Sequence, residues 1–188
     1  EGETPEILTM LGVANYSLGK KEPARAYLDK ALNAGVKDSK AFLFAGYLRF
    51  EAKDYKGALE ALTAAERAGE KEDGLYLIRG KSYYQLKEYT AAIPDLERGV
   101  QKGTADLAAY EAISLSYLAV QKEKQALIAL EKAASLDSKS KDVYYQMGNL
   151  RFKENNFAGA IEAYDKAVVL GANDEVIFNN RGKAKLNG

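Results

Sequence analysis

The 188 residues are 47% hydrophobic and 29% charged, with 27 Lys and Arg against 27 Asp and Glu, which is typical of a folded globular chain without net charge. The balanced charge argues against a nucleic-acid partner, because chains that bind nucleic acid usually carry a basic excess on one face. Without Cys or His, the chain has no thiolate or imidazole for catalysis and no Cys/His site for zinc or haem, so we expect no catalytic residues, no metal site and no cofactor.

Hydrophobic periodicity predicts helices in pairs along the chain. In the first pair, apolar residues recur at helical spacing over residues 8–18 and 24–32, with a polar break between them. The same pattern predicts pairs over 42–52 and 58–68, 76–86 and 92–102, 110–120 and 126–136, and 144–154 and 160–170, followed by a single helix over 175–186. The sequence therefore predicts eleven helices.

Residues that favour helix ends agree with these boundaries. Four short polar residues stand where an N-cap is expected before a first helix: Asp38, Asp106, Ser140 and Asp174. Four glycines stand where a second helix is expected to end: Gly35, Gly69, Gly103 and Gly171.

Small residues recur every 34 residues. One set is Ala24, Ala58, Ala92, Ala126 and Ala160, and the other is Gly12, Gly46, Gly80, Ser114, Gly148 and Gly182. A fixed period of this kind is typical of a solenoid, in which one helical unit stacks on copies of itself. We expect the two helices of a unit to cross closely where the small residues meet, for example Gly46 against Ala58.

The spacing of the repeated residues resembles that of the tetratricopeptide repeat, W-x2-L-G-x2-Y followed by A-x3-F and P on 34 residues. The first unit matches at Leu8, Leu11, Gly12, Ala24 and Leu28, and the fifth at Tyr144, Met147, Gly148, Ala160 and Tyr164. The closing Pro is replaced by Val36, Glu70, Thr104, Ser138 and Ala172. Arginine, as Arg79 and Arg181, takes a position that is apolar in Leu11, Ala45, Ile113 and Met147.

The resemblance implies an all-α, right-handed solenoid that forms one array over residues 1–188. The repeats are expected at 5–38, 39–72, 73–106, 107–140 and 141–174, with a half repeat at 175–188. It also implies a scaffold for protein–protein interaction, in which the first helices line a concave groove that accepts a peptide or a protein segment. The alternative is a structural or self-assembling spacer of a larger protein, with a homo-oligomer formed through the terminal helices.

Mapping the chain onto that groove gives the candidate binding residues. They are Leu43, Tyr47, Leu77, Lys81, Tyr84, Leu115, Tyr145 and Asn149. The apolar members are expected to form a strip, and exposed apolar patches usually mark binding sites. The competing interpretation is that Tyr84, at a position shared with Phe50, Leu118 and Phe152, is half buried between neighbouring first helices and belongs to the core. For Leu43 and Tyr47, groove and core both stay open.

The sequence says less about the compartment in which the chain is found. No apolar run approaches the roughly 20 residues of a membrane span, and no signal peptide is visible. We therefore expect a soluble chain, either cytoplasmic or exported. Because it begins with Glu1 rather than Met and ends at Gly188 inside a further repeat, we expect a fragment of a longer protein.

Overall fold

The computed structural model describes residues 3–101, 106–136 and 139–188. These residues form eleven α-helices and no strand, which confirms the predicted all-α helical-repeat fold. The helices are α1 (Pro5–Ser17), α2 (Lys21–Asn33), α3 (Ser39–Glu51), α4 (Tyr55–Arg67), α5 (Asp73–Gln85), α6 (Tyr89–Val100), α7 (Leu107–Ala119), α8 (Glu123–Ser135), α9 (Lys141–Lys153), α10 (Phe157–Val169) and α11 (Glu175–Asn187).

The chain divides into two compact units. Unit 1 is Glu1–Thr104 and contains α1 to α6, and unit 2 is Ala105–Gly188 and contains α7 to α11. In unit 1, Leu43 and Leu62 pack with Tyr76 in a buried cluster. In unit 2, Tyr164 and Ile177 are buried among small residues.

The repeated glycines bring the two helices of a pair together. A Cβ placed on Gly46 would lie 2.6 Å from Leu62 Cγ, and one on Gly148 would lie 2.5 Å from the Tyr164 ring. The nearest atoms thus belong to Leu62, one turn beyond the Ala58 that the sequence suggested, because the longer side chain reaches across the crossing. Ala58 itself is fully buried.

Most of the predicted helix ends are confirmed. The side chain of Asp38 accepts from the N–H of Lys40 and Ala41, Asp106 accepts from the N–H of Ala109, and Asp174 accepts from the N–H of Ile177. Ser140 precedes α9 at the expected position. The glycines that end second helices have left-handed φ angles, 84° at Gly35, 103° at Gly69 and 94° at Gly171. Gly103 lies outside the described residues.

The turn between the two helices of a repeat has a left-handed residue that the sequence did not predict. The φ angles are 62° at Lys53, 63° at Lys87, 60° at Gln121 and 59° at Asn155, and Gly19 has 72° in the first repeat. Backbone hydrogen bonds close the turn, as where the Asp54 N–H donates to the Arg49 carbonyl at 2.9 Å. This closure is the αL helix ending usually made by glycine.

Candidate protein-interaction site

In unit 1, the candidate residues lie on α3 and α5, but they differ in exposure. Leu43 is only 1% exposed and packs in the core with Leu62, so its side chain does not reach the surface. Tyr47, Leu77, Lys81 and Tyr84 are partly buried. The expected apolar strip therefore loses one of its members, because Leu43 is buried in a cluster with residues of α4 and α5.

Tyr47 belongs to an aromatic cluster. Its ring centroid lies 5.7 Å from that of Phe44 and 6.1 Å from that of Tyr16. Its hydroxyl donates to Glu72 Oε1 at 2.6 Å, and the Tyr16 hydroxyl donates to Glu51 Oε1 at 3.2 Å. Burial and the neighbouring carboxylate raise the pKa of Tyr47 and raise that of Tyr16 to about 12. Both phenols are therefore protonated donors at neutral pH.

In unit 2, the candidate residues lie on α7 and α9. Leu115 is 39% exposed. The Tyr145 ring lies 6.3 Å from the Tyr164 ring, with the planes tilted at 46°. Asn149 Oδ1 accepts from the Tyr164 hydroxyl at 2.9 Å and from Asn180 Nδ2 at 3.2 Å. Burial raises the pKa of Tyr164 to about 12, so this hydroxyl is a donor at neutral pH. Two donors thus fix the orientation of the Asn149 amide.

A cavity of 330 Å³ in unit 2 adjoins Asn149 and is lined by residues that the sequence analysis did not select. Among them are Gln146, Phe152, Lys153 and Asn180. Lys153 also forms an ion pair with Glu123. Gln146 and Asn180 occupy a repeat position that is otherwise Met10, Phe44, Ile78 and Ala112. Two amides at an otherwise apolar position are a signal in the sequence that the sequence analysis did not use.

Other site types find no support among residues 3–101, 106–136 and 139–188. This part of the chain holds no group of three or more acidic side chains placed to bind a metal ion. None of its helices combines the length and the apolar character that a membrane span requires.

Family models for the tetratricopeptide repeat match residues 45–108 and, separately, residues 5–34 and 141–170. The chain belongs to the tetratricopeptide-repeat family. Tetratricopeptide-repeat proteins generally mediate protein–protein interactions by binding protein or peptide partners, and they are typically scaffolds without enzymatic activity.

Solved structures share the tetratricopeptide-repeat fold. The crystal structure of YrrB, described as a TPR protein with an unusual peptide-binding site, is 24% identical over 96% of this chain and 93% of its own, with a TM-score of 0.75. A crystal structure of MamA protein is 23% identical over 90% of this chain and 93% of its own, with a TM-score of 0.70. A fragment of MamA from Desulfovibrio magneticus RS-1 is 21% identical over 90% and 96%, with a TM-score of 0.69. No curated protein sequence matches the chain.

Proposed function

We propose that this chain is a protein–protein interaction scaffold that binds a peptide or protein segment on the first helices of its repeats. It acts by binding alone, without catalysis, cofactor or nucleic acid. The unbroken 34-residue period supports a single array over residues 1–188 as the unit of this function.

The observation that carries the proposal is the fixed amide of Asn149 beside the 330 Å³ cavity. Since its Oδ1 already accepts two hydrogen bonds, the group that it offers to a ligand is the Nδ2 donor, which suits a peptide carbonyl. Gln146 and Lys153 add polar groups, and Phe152 adds an apolar wall. A mostly apolar cleft with a few placed polar groups is typical of ligand sites.

Aromatic and apolar residues on the other first helices add contact area. Tyr47 and Tyr84 in unit 1 and Tyr145 in unit 2 are partly buried, so little rotamer freedom is lost when a ligand covers them. Leu77 and Lys81 lie on α5, and Leu115 is an exposed leucine on α7. The buried Leu43 is not part of the proposed surface.

The test uses peptides selected from a random 12-residue display library against the intact chain. We expect Gln146→Ala and Asn149→Ala to weaken the selected peptides by about tenfold each, the effect of one anchoring contact. Lys132→Ala, on an exposed position of α8, is the matched control and should leave affinity unchanged. Peptides that bind both cavity variants as well as they bind the unaltered chain would overturn the proposal.

The spacer alternative is favoured by one specific observation on α11. A Cβ placed on Gly182 would meet no atom within 4 Å in the described part of the chain, whereas its counterparts in four other repeats each contact a second helix. Phe178 on the same helix is 46% exposed. Sedimentation velocity decides between the candidates: concentration-dependent self-association that Phe178→Ser abolishes would support a self-assembling spacer, and a monomer at all concentrations would exclude it.

A further inference from the structure

A second cleft, of 610 Å³, opens in unit 2 between α8, α9 and α10. It shares no lining residue with the 330 Å³ cavity beside Asn149. Its apolar lining is Ala134, Tyr144, Met147, Ala163 and Val169, of which Met147 and Ala163 are only 5% and 2% exposed. Its charged part includes Glu131 and Asp165, which lie on two different second helices.

In the third repeat, the corresponding place is filled by the chain's own side chains, whereas in the second repeat a 190 Å³ cavity lined by Asp29, Ala45 and Arg49 lies at the equivalent positions. Two repeats before Met147 stands Arg79, whose Nε and Nη2 donate to the two carboxylate oxygens of Asp95 at 2.6 and 2.9 Å. Its Nη1 donates to Glu66 Oε2 at 2.5 Å. The side chains of Arg79 and Asp95 are only 11% and 12% exposed. Asp95 and Glu66 correspond to Ala163 and Ala134, so the cleft beside Met147 lacks the guanidinium and both of its acceptors.

The terminal helix shows a second way to bind an arginine from this repeat position. Arg181 on α11 stands one repeat after Met147, and its Nη1 lies 3.1 Å from Asp165 Oδ1 on the preceding second helix. Glu131 is the residue one repeat before Asp165. Glu131 pairs with Arg151, whose Nη2 lies 3.1 Å from Glu131 Oε1.

We propose that the 610 Å³ cleft binds an arginine side chain of a partner protein, with its methylene stem on Met147 and Ala163 and its guanidinium on Glu131. The inference uses a different surface from the proposed peptide site and does not depend on it. A partner arginine would give Glu131 the kind of contact that Asp165, one repeat later, receives from Arg181.

Charge and ring geometry support this choice of side chain. Three carboxylates line the cleft, those of Glu131, Glu162 and Asp165. Asp165 pairs with Arg181, whereas Glu131 and Glu162 share the single cation of Arg151. Lys166 Nζ lies 5.9 Å from the Tyr144 ring centroid. At the corresponding positions of the third repeat, the Arg98 guanidinium lies 3.5 Å from the Tyr76 ring centroid. A planar guanidinium stacks on aromatic rings and binds carboxylates in a fork, and the compact lysine ammonium does neither as well.

The chain contains two methionines, which provide an internal reporter and its control. Met147 lines the cleft, and Met10 lies on α1 in unit 1 and is 63% exposed. With 13C-labelled methionine methyl groups, we expect N-acetyl-arginine amide to shift the Met147 signal saturably and to leave the Met10 signal unchanged. N-acetyl-lysine amide and N-acetyl-leucine amide should bind at least about fivefold more weakly.

A variant pair separates a specific site from nonspecific charge attraction. Glu131→Gln should weaken N-acetyl-arginine amide at least about fivefold, and Glu60→Gln, at an exposed position of α4, should leave its affinity unchanged. A Met147 signal that none of the three amides moves would overturn the proposal. So would leucine amide binding as tightly as arginine amide, because the cleft would then select apolar side chains.

Discussion

In the third repeat, Arg79 binds Asp95 and Glu66 and closes the space between three helices with a largely buried ion-pair network. In the fifth repeat, the corresponding Met147 and Ala163 carry no charge, and a 610 Å³ cleft is open. Both repeats keep the same 34-residue pattern of small and large residues. Closure or opening of this space is therefore decided by a few side chains, one of which stands at the Leu position of the repeat pattern.

The largest expected effect comes from removing the cation of the closed space. Arg79→Met should lower the free energy of unfolding by about 3 kcal/mol, because it leaves the carboxylate of Asp95 buried without its partner. Urea unfolding followed by circular dichroism measures the change, with Arg67→Met at an exposed position of α4 as the control. A loss equal to that of the control would mean that the network does not stabilise unit 1.

Two glycines at the same repeat position, Gly80 and Gly182, test the helix packing at that position. Gly80→Ala should cost about 1–3 kcal/mol by overpacking, because its Cβ would lie 2.8 Å from the Leu96 backbone nitrogen. Gly182→Ala, at the same repeat position, should instead stabilise α11 by up to about 1 kcal/mol, since nothing within 4 Å opposes the methyl group and alanine favours the helix. Thermal melts of the two variants should move in opposite directions. A shift of the same sign in both would contradict this view of the position.

Replacing the whole network should cost much less than breaking it. The triple variant Arg79→Met, Asp95→Ala and Glu66→Ala introduces the residues that stand two repeats later, Met147, Ala163 and Ala134. We expect its free energy of unfolding to lie within about 2 kcal/mol of that of the unaltered chain, because no buried charge is left unpaired and only the Tyr76 hydroxyl loses its acceptor. Urea unfolding gives the comparison, and a triple variant less stable than Arg79→Met alone would refute it.

The smallest effect is a pH dependence confined to the closed space. Hydrogen bonding from Arg79, reinforced by the hydroxyl of Tyr76, lowers the pKa of Glu66 below its ordinary value. A carboxyl group with a lowered folded pKa stabilises the fold above its unfolded pKa, and this contribution is lost as the pH falls through the folded value. Stability should therefore decrease more between pH 6 and pH 3 in the unaltered chain than in Glu66→Gln. Because the Glu66 side chain is 37% exposed, added salt should reduce the difference.

The candidate site was predictable only in part. Repeat spacing identified Asn149 and Tyr145, which the structure places near Tyr164, but it did not select Asn180, which lies 31 residues further along the chain and donates to Asn149. It also assigned Leu43 to the groove, although the side chain is buried. An amphipathic pattern gives the angular position of a residue on its helix, but which neighbours cover that position depends on how the helices pack.

The sequence by itself determined the number of helices, most of their ends and the family, because these depend on spacing, capping residues and small residues that recur at a fixed period. Only the structure revealed the left-handed residues Lys53 and Lys87, where the backbone hydrogen bonds that end the first helix offset the preference of a lysine for negative φ. The tertiary structure also decided which residues Arg79 binds. Sequence marked it as a departure from the repeat, but its partners lie on neighbouring helices, and only packing brings charges from separate helices within hydrogen-bonding distance.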